Sequence, residues 1–377
     1  MIDHYRRILD DRVRVLAFER AIATTVRPGD VVVDLGCALG NFTLFACRSG
    51  AERVYAVEAQ STVELARRVV TDNGHGDKVR FLRGLSTDLE PPERARVVIF
   101  EDFVTCLLSP SVVRTLRDAT ARWLEPGGAL LPGRARLWVA PVEDTAAHAD
   151  LDRFAGAGQR AYGLDVSATR LPAFARMYSR YFEAGSLVAP PQPAGAVDLK
   201  TVERAALRVS ASAPALRSAA IHGLALWFEL DLAGEWLGTG PLSPRTAWPQ
   251  VFLPLADPLV VDRGDELEVA CEATPFGDDL VWQWSVAARG QRAEASNLDS
   301  LALDGAALGR WDPDHVPEPD ADLELDRAIL ESVDGERSLE EIADRVRGRC
   351  TGRLAEPGAL ERRVLALVGG TRGGAGP

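Results

Sequence analysis

The stretch Val31-Val32-Val33-Asp34-Leu35-Gly36-Cys37-Ala38-Leu39-Gly40 constrains this chain more than any other. Three valines running into an acid and two glycines predict a buried strand that turns tightly into a helix. Glycine there lets the backbone approach a bound molecule, because no Cβ stands in the way. Residues 54–57 predict the next strand, which ends on a second acid, Glu58. A carboxylate at that place suits the two hydroxyls of a ribose. Helices are predicted over 9–26, 39–49, 61–73 and 111–123. Further strands are predicted at 79–82 and 97–100, with a turn at Pro126-Gly127-Gly128. Alternation of this kind builds right-handed βαβ units on a parallel sheet.

The spacing around the turn also selects among nucleotides. The dinucleotide fingerprint G-x-G-x-x-G is absent, the spacing is G-x-x-x-G, and an acid precedes the first glycine. S-adenosylmethionine (AdoMet) has no pyrophosphate to cradle, so its site can use a carboxylate near its amino group instead. The candidate cofactor residues are Asp34, Gly36, Cys37, Gly40, Glu58 and Ser86.

Near Arg134 the pattern changes. Short β-like runs at 135–140, 205–211, 221–232, 251–255, 266–273 and 279–287 are punctuated by Gly, Pro and Asp, which predicts an antiparallel barrel or sandwich. A mostly polar, partly helical insertion interrupts them over 143–182, and residues 189–195 are predicted as a loop. An acidic, proline-bearing linker follows at 313–319. Amphipathic helices are expected over 323–333, 338–348 and 358–368, with a capping box at Ser338-Leu339-Glu340-Glu341. The expected domains are therefore 1–134 (an α/β, Rossmann-like domain), 135–312 (an antiparallel β-barrel with an insertion about 145–180) and 320–368 (a small helical module). A tail at 369–377 completes the chain.

Composition removes several functions. A net charge of −12 disfavours general nucleic-acid binding. The five cysteines are scattered without C-x-x-C spacing, so neither structural zinc nor a disulfide framework is expected. His4, His75, His148 and His315 lack ligand spacing, and no metal is expected. No signal-peptide h-region or membrane span is seen, which places the expected protein in the cytoplasm.

Many short segments in order resemble the protein arginine methyltransferase family, from about residue 5 to about 290. They include Ile8-Leu9-Asp10-Asp11-Arg12-Val13-Arg14, Asp34-Leu35-Gly36-Cys37, Val57-Glu58 and Leu124-Glu125-Pro126-Gly127-Gly128. Pro132-Gly133-Arg134-Ala135, Tyr162-Gly163-Leu164-Asp165 and Ile221-His222-Gly223-Leu224 continue the match. The resemblance implies a class I AdoMet-dependent methyltransferase. It implies that Arg14 pairs with the methionine carboxylate of AdoMet, and that the insertion makes a homodimer. It also implies two carboxylates on one hairpin loop to hold an acceptor guanidinium.

Here the chain departs from the family. Glu101, in Phe100-Glu101-Asp102-Phe103, matches the first carboxylate, but Pro110 stands at or next to the second. The family's Thr-His-Trp loop is Thr246-Ala247-Trp248. One carboxylate cannot grip both edges of a guanidinium. The expected acceptor is therefore a small or peptide-derived molecule, an indole-like or other nitrogen heteroaromatic, in a divergent bacterial enzyme of specialised metabolism. Glu101 would be the base or orienting carboxylate, and Tyr178, Tyr181 and Trp248 the aromatic walls. His222 is a second catalytic candidate, with a hydrogen-bonded structural role as its alternative. Arginine in a peptide remains the alternative acceptor, and an inactive AdoMet-binding scaffold the alternative of another class. The C-terminal helices resemble modules that recognise leader peptides, with a packed appendage as the other reading.

Overall fold

A computed structural model describes residues 2–153, 160–161, 163–300, 314, 316, 318–319, 321–349 and 358–368. Tyr162, residues 313, 315 and 317 of the linker, Cys350 and the 369–377 tail lie outside the described residues. Residues 1–302 form one compact unit and 303–377 a second.

The first unit opens with α1 (Ile2–Asp10) and α2 (Arg12–Thr25), where one helix over 9–26 was expected. Asp11 breaks the run because its side chain accepts the Arg14 N–H at 3.0 Å and caps α2. Then follow β1 (Val31–Leu35), α3 (Asn41–Arg48), β2 (Arg53–Glu58), α4 (Val63–Asp72), β3 (Val79–Arg83), β4 (Ala95–Phe100), α5 (Pro110–Asp118) and β5 (Leu124–Leu131). The strands pair in the order β3-β2-β1-β4-β5, all parallel. Val32, Val33, Val54, Val97, Val98 and Ile99 are fully buried, as strands covered on both faces require. Strand order reverses between β1 and β4, and the crevice at such a switch point is where α/β sheets bind ligands.

From Arg134 every strand of the two larger sheets pairs antiparallel. β6 (Arg134–Val142) leads into α6 (Thr145–Asp152), the short β7 (Arg160–Ala161) and β8 (Leu164–Asp165), α7 (Arg170–Phe174) and β9 (Tyr178–Arg180). There follow β10 (Gln192–Asp198), β11 (Leu207–Pro214), β12 (Ala219–Leu232), β13 (Glu235–Gly238), β14 (Gln250–Val261), β15 (Glu266–Phe276), β16 (Asp279–Ala288) and β17 (Gln291–Ser296). One sheet runs β10-β6-β12-β14-β9, with β13 paired to β12, and the other runs β11-β15-β16-β17. Their inner faces share Leu224, Leu226, Leu253, Leu267, Trp282 and Trp284 in a core continuous with that of the parallel sheet.

β10 overturns the loop expected over 189–195. It is an edge strand, so Pro193 takes no hydrogen bond from a ladder, and a bulge between Pro193 and Gly195 absorbs the irregularity. The second unit holds α8 (Ala321–Glu331), α9 (Leu339–Val346) and α10 (Ala359–Val368) around Ile329, Ile342, Leu360 and Val364. The capping box is present: Glu341 N–H donates to the Ser338 hydroxyl, and the Glu341 carboxylate accepts the Ser338 N–H.

Candidate active site

A cavity of about 450 Å³ lies at the carboxyl ends of β1, β2 and β4, within the size range of small-molecule sites. Its floor is a turn that the backbone ties down. The N–H groups of Gly36 and Cys37 both donate to the Val57 carbonyl, at 2.9 and 3.0 Å. Gly36 has φ +77°, a conformation that other residues adopt only with strain. Glu58, at the end of β2, is buried and faces the cavity. One of its oxygens accepts the Ala38 N–H at 3.1 Å and the other the Gln60 N–H at 2.8 Å. Each oxygen keeps a lone pair for a hydroxyl donor. Cys37 and Ser86 also line the space.

Three of the expected cofactor residues, Arg14, Asp34 and Gly40, are not among those that line the cavity. Asp34 is 1% exposed, is not among the lining residues, and accepts the Thr43 hydroxyl at 2.6 Å. Burial pushes its carboxyl up to about 6, partly offset by the Thr43 hydrogen bonds. It fastens α3 to β1. Gly40 does not line the cavity either. A Cβ there would sit 3.1 Å from Val70 Cγ2, so the glycine lets α3 pack on α4. In this structure Asp34 and Gly40 both stand outside the lining and brace the turn.

At the end of β4 lies Glu101, whose side chain is 19% exposed and faces the same cavity. Burial lifts its carboxyl to about 7, against the opposing pull of the Arg14 guanidinium. Arg14 is 2% exposed and donates one amino group to Glu101 and the other to the Ile8 carbonyl at 2.7 Å. Its Nε, also buried, makes no hydrogen bond. Trp248 lies under the guanidinium, 5.2 Å from ring centre to Cζ, and meets Phe228 edge-on at 5.5 Å. Removing one partner of such a pair leaves an uncompensated charge, at a cost of about 3–5 kcal/mol when fully buried.

The acceptor side is sparser. Pro110 occupies the first position of α5, whose N-cap Ser109 accepts the Val112 N–H at 3.2 Å. A second carboxylate has no counterpart at that helix start. Tyr181 borders a neighbouring recess and donates its hydroxyl to the Ala247 carbonyl at 3.0 Å. Tyr178 does not line the cavity. It bonds the Ala173 carbonyl at 2.7 Å and packs against the cluster of Ala140, Val142 and Phe252. His222 lies in β12 and is not among the residues lining the cavity. Its Nδ1 accepts the Asp144 N–H at 3.2 Å, its ring stands 5.2 Å from that of His148, and burial lowers its pKa.

Sequence reasoning passed over Tyr5, Asn41, Phe42, Gln60 and Thr115 in the lining, since nothing in residue type marks them. It also passed over Asp11, which an N-cap search finds from its place before an apolar run. Among the described residues no cluster of His, Cys, Asp and Glu can hold a metal ion, and no helix is long and apolar enough to cross a membrane.

With this geometry in place, the likeness to known proteins is specific. Residues 32–128 match the model of a methyltransferase domain, and 133–286 that of the arginine methyltransferase oligomerization subdomain. The chain is 31% identical over 279 residues to the probable histone-arginine methyltransferase CARM1 of Oryza sativa subsp. indica, covering 70% of this chain and 53% of that protein. It thus spans about half the length of the rice relative. It is 31% identical over 278 residues to protein arginine N-methyltransferase 6 of Xenopus tropicalis, covering 70% of this chain and 81% of the frog protein. Among solved structures, the Trypanosoma brucei PRMT1 enzyme–prozyme complex with AdoHcy shares the fold at a TM-score of 0.72 and 23% identity, over 78% of this chain and 98% of that one. By these matches the chain belongs to the protein arginine methyltransferase family, whose class I fold it carries and whose cofactor is AdoMet.

Proposed function

We propose that this chain transfers the methyl group of AdoMet to an arginine side chain of a peptide or protein. The observation that carries the reading is Glu101, a carboxylate at the mouth of the β1–β2 cavity with a pKa lifted to about 7. In its ionised form such a group pairs with an incoming guanidinium, and it accepts the proton that the nitrogen loses as the new N–CH3 bond forms and the bond from sulfur breaks. The chain's donors and acceptors suit the cofactor. Glu58 would hold the ribose hydroxyls, and the Gly36–Cys37 turn allows close approach; the Arg14 Nε, 3.7 Å from the Asp11 carboxylate, makes no hydrogen bond of its own. AdoMet, when bound, supplies a methyl group already electrophilic at its sulfonium. The remaining work of the protein is alignment of the acceptor nitrogen.

A second reading keeps a specific support. Pro110 in place of an acid and Ala247 in place of a histidine suit a neutral nitrogen heteroaromatic, as in specialised metabolism. The relatives named above are plant and frog proteins and lend no weight to a bacterial origin.

Labelled AdoMet offered with an arginine peptide and with an indole separates the two. Methylarginine recovered after hydrolysis supports the first reading, and label confined to the heterocycle removes it. Pro110→Glu restores a second carboxylate at a helix start that tolerates acids. It should raise kcat/KM for the arginine peptide about tenfold, as an added charge-assisted hydrogen bond would. The oligomerization-subdomain match supports a homodimer, and light scattering at the monomer mass would remove that part of the proposal.

A further inference from the structure

Beside the Arg14–Glu101 pair lies a second recess of about 550 Å³. The α1–α2 junction forms one wall, with Arg7, Asp10 and Arg12, and Tyr181 and the 245–247 loop form the other. Ile8 lines both this recess and the cofactor cavity, so the two are neighbours across one side chain. Ala247 ends the loop in a methyl group and leaves the entrance open.

The charges of the recess do not balance. Asp11 keeps its charge while its carboxylate accepts the backbone N–H groups of Arg14 and Ala247 and stands 3.7 Å from the Arg14 Nε, so the lining holds three guanidinium groups against two carboxylates. Asp10 is the other carboxylate. Against the two stand Arg7, Arg12 and Arg245, all exposed, none in an ion pair among the described residues. Arg245 is held in place by its stack on the Tyr181 ring, 3.7 Å from Cζ to the ring centre. The Tyr181 hydroxyl is in turn anchored to the Ala247 carbonyl. In a chain of net charge −12, this surplus of guanidinium groups is local to the mouth of the site.

We infer that the recess selects acceptors carrying acidic residues next to the methylated arginine, and repels peptides rich in arginine. The inference rests on the peptide-arginine reading above and names its substrate class. Three free guanidinium groups attract a flanking Asp or Glu directly. They also raise the cost of admitting a further cation, which is specificity by repulsion as much as by contact. Glu101 then meets the one guanidinium that the acidic flanks deliver.

The test uses two fluorescent peptides, each with a single arginine, one flanked by Asp and Glu, the other by Gly and Lys. Binding to the full chain loaded with AdoHcy is read by anisotropy, and methyl transfer by label from AdoMet. The acidic peptide should bind about tenfold tighter at low salt, with the advantage shrinking at about 0.5 M salt. Arg245→Glu should reverse the preference and Arg7→Glu should weaken it, both without change in AdoHcy affinity. Equal or weaker binding of the acidic peptide overturns the inference. So does a preference that survives both substitutions, or no binding of either peptide. If the acidic peptide binds and loses its advantage in Arg245→Glu, yet takes no label, the recess stands and the arginine-acceptor reading falls.

Discussion

Around β1 and β2, the carboxylate and the turn that face the cavity are tied to the backbone. Glu58 holds two N–H groups, and the Gly36–Cys37 turn hangs from one carbonyl. Around α5 and the 245–248 loop, the polar groups are fewer and looser. Glu101 shares its charge with Arg14, Pro110 brings no side-chain acceptor, and Ala247 brings only a methyl group. The first half offers fixed backbone and carboxylate groups to one ligand. The second half offers fewer side-chain partners, and what remains is charge near the rim. A backbone-anchored site resists substitution at positions that merely line it. A site resting on one ion pair is decided by that pair.

The sharpest way to break this comparison is Glu101→Gln, which keeps size and removes charge and basicity. Turnover should fall by about 10²-fold or more, the usual loss when a positioned base is removed. AdoMet affinity measured by calorimetry should change little. A variant that retains most of its turnover would mean that the acceptor half does not depend on its single carboxylate.

A smaller effect tests the cofactor half. Glu58→Ala removes an acceptor in the cavity wall and should weaken AdoMet by roughly 1.5–3 kcal/mol, the range for hydrogen bonds to charged groups. Asp34→Ala should weaken it less, because Asp34 bonds Thr43 behind the wall. Its loss should appear instead as a lowered melting temperature. Equal losses of affinity for the two variants, in titration calorimetry, would place Asp34 in contact with the cofactor after all.

The smallest effect is in pH dependence. The Glu101 carboxyl is raised to about 7, so it is protonated below that pH and ionised above it. If the ionised form is the active one, kcat/KM rises through pH 7 and changes less than about twofold between pH 7 and 8. The rate should then fall about tenfold per unit well below pH 7. A profile flat from pH 5 to 8 would remove Glu101 as the titrating group.

Much of this protein was legible before any coordinates. The parallel sheet followed from valine runs at βαβ spacing, and the antiparallel region from short runs broken by Gly, Pro and Asp. Gly36, Cys37, Glu58 and Ser86 lie in the cavity where the turn pattern placed them, because a strand end and its following turn are local geometry. The Ser338–Glu341 capping box is local too, and formed as its spacing required.

What sequence could not decide was set by contacts between distant segments. Asp34 and Gly40 belong to the cofactor motif by type, but Thr43 and Val70 turn them to support. Tyr178 and His222 were aromatic or titratable groups without a visible partner until Ala173, Asp144 and His148 were seen to occupy them. Pro193 sits in a strand because β10 is an edge, a fact of sheet order and not of residue type. The Arg14–Glu101 pair and the arginine-lined recess join the first helices to loops from the middle of each domain. A pattern along the chain records which face of an element is buried. Which groups meet across the fold, and so which charges are spent and which stay free, is decided only when the elements pack.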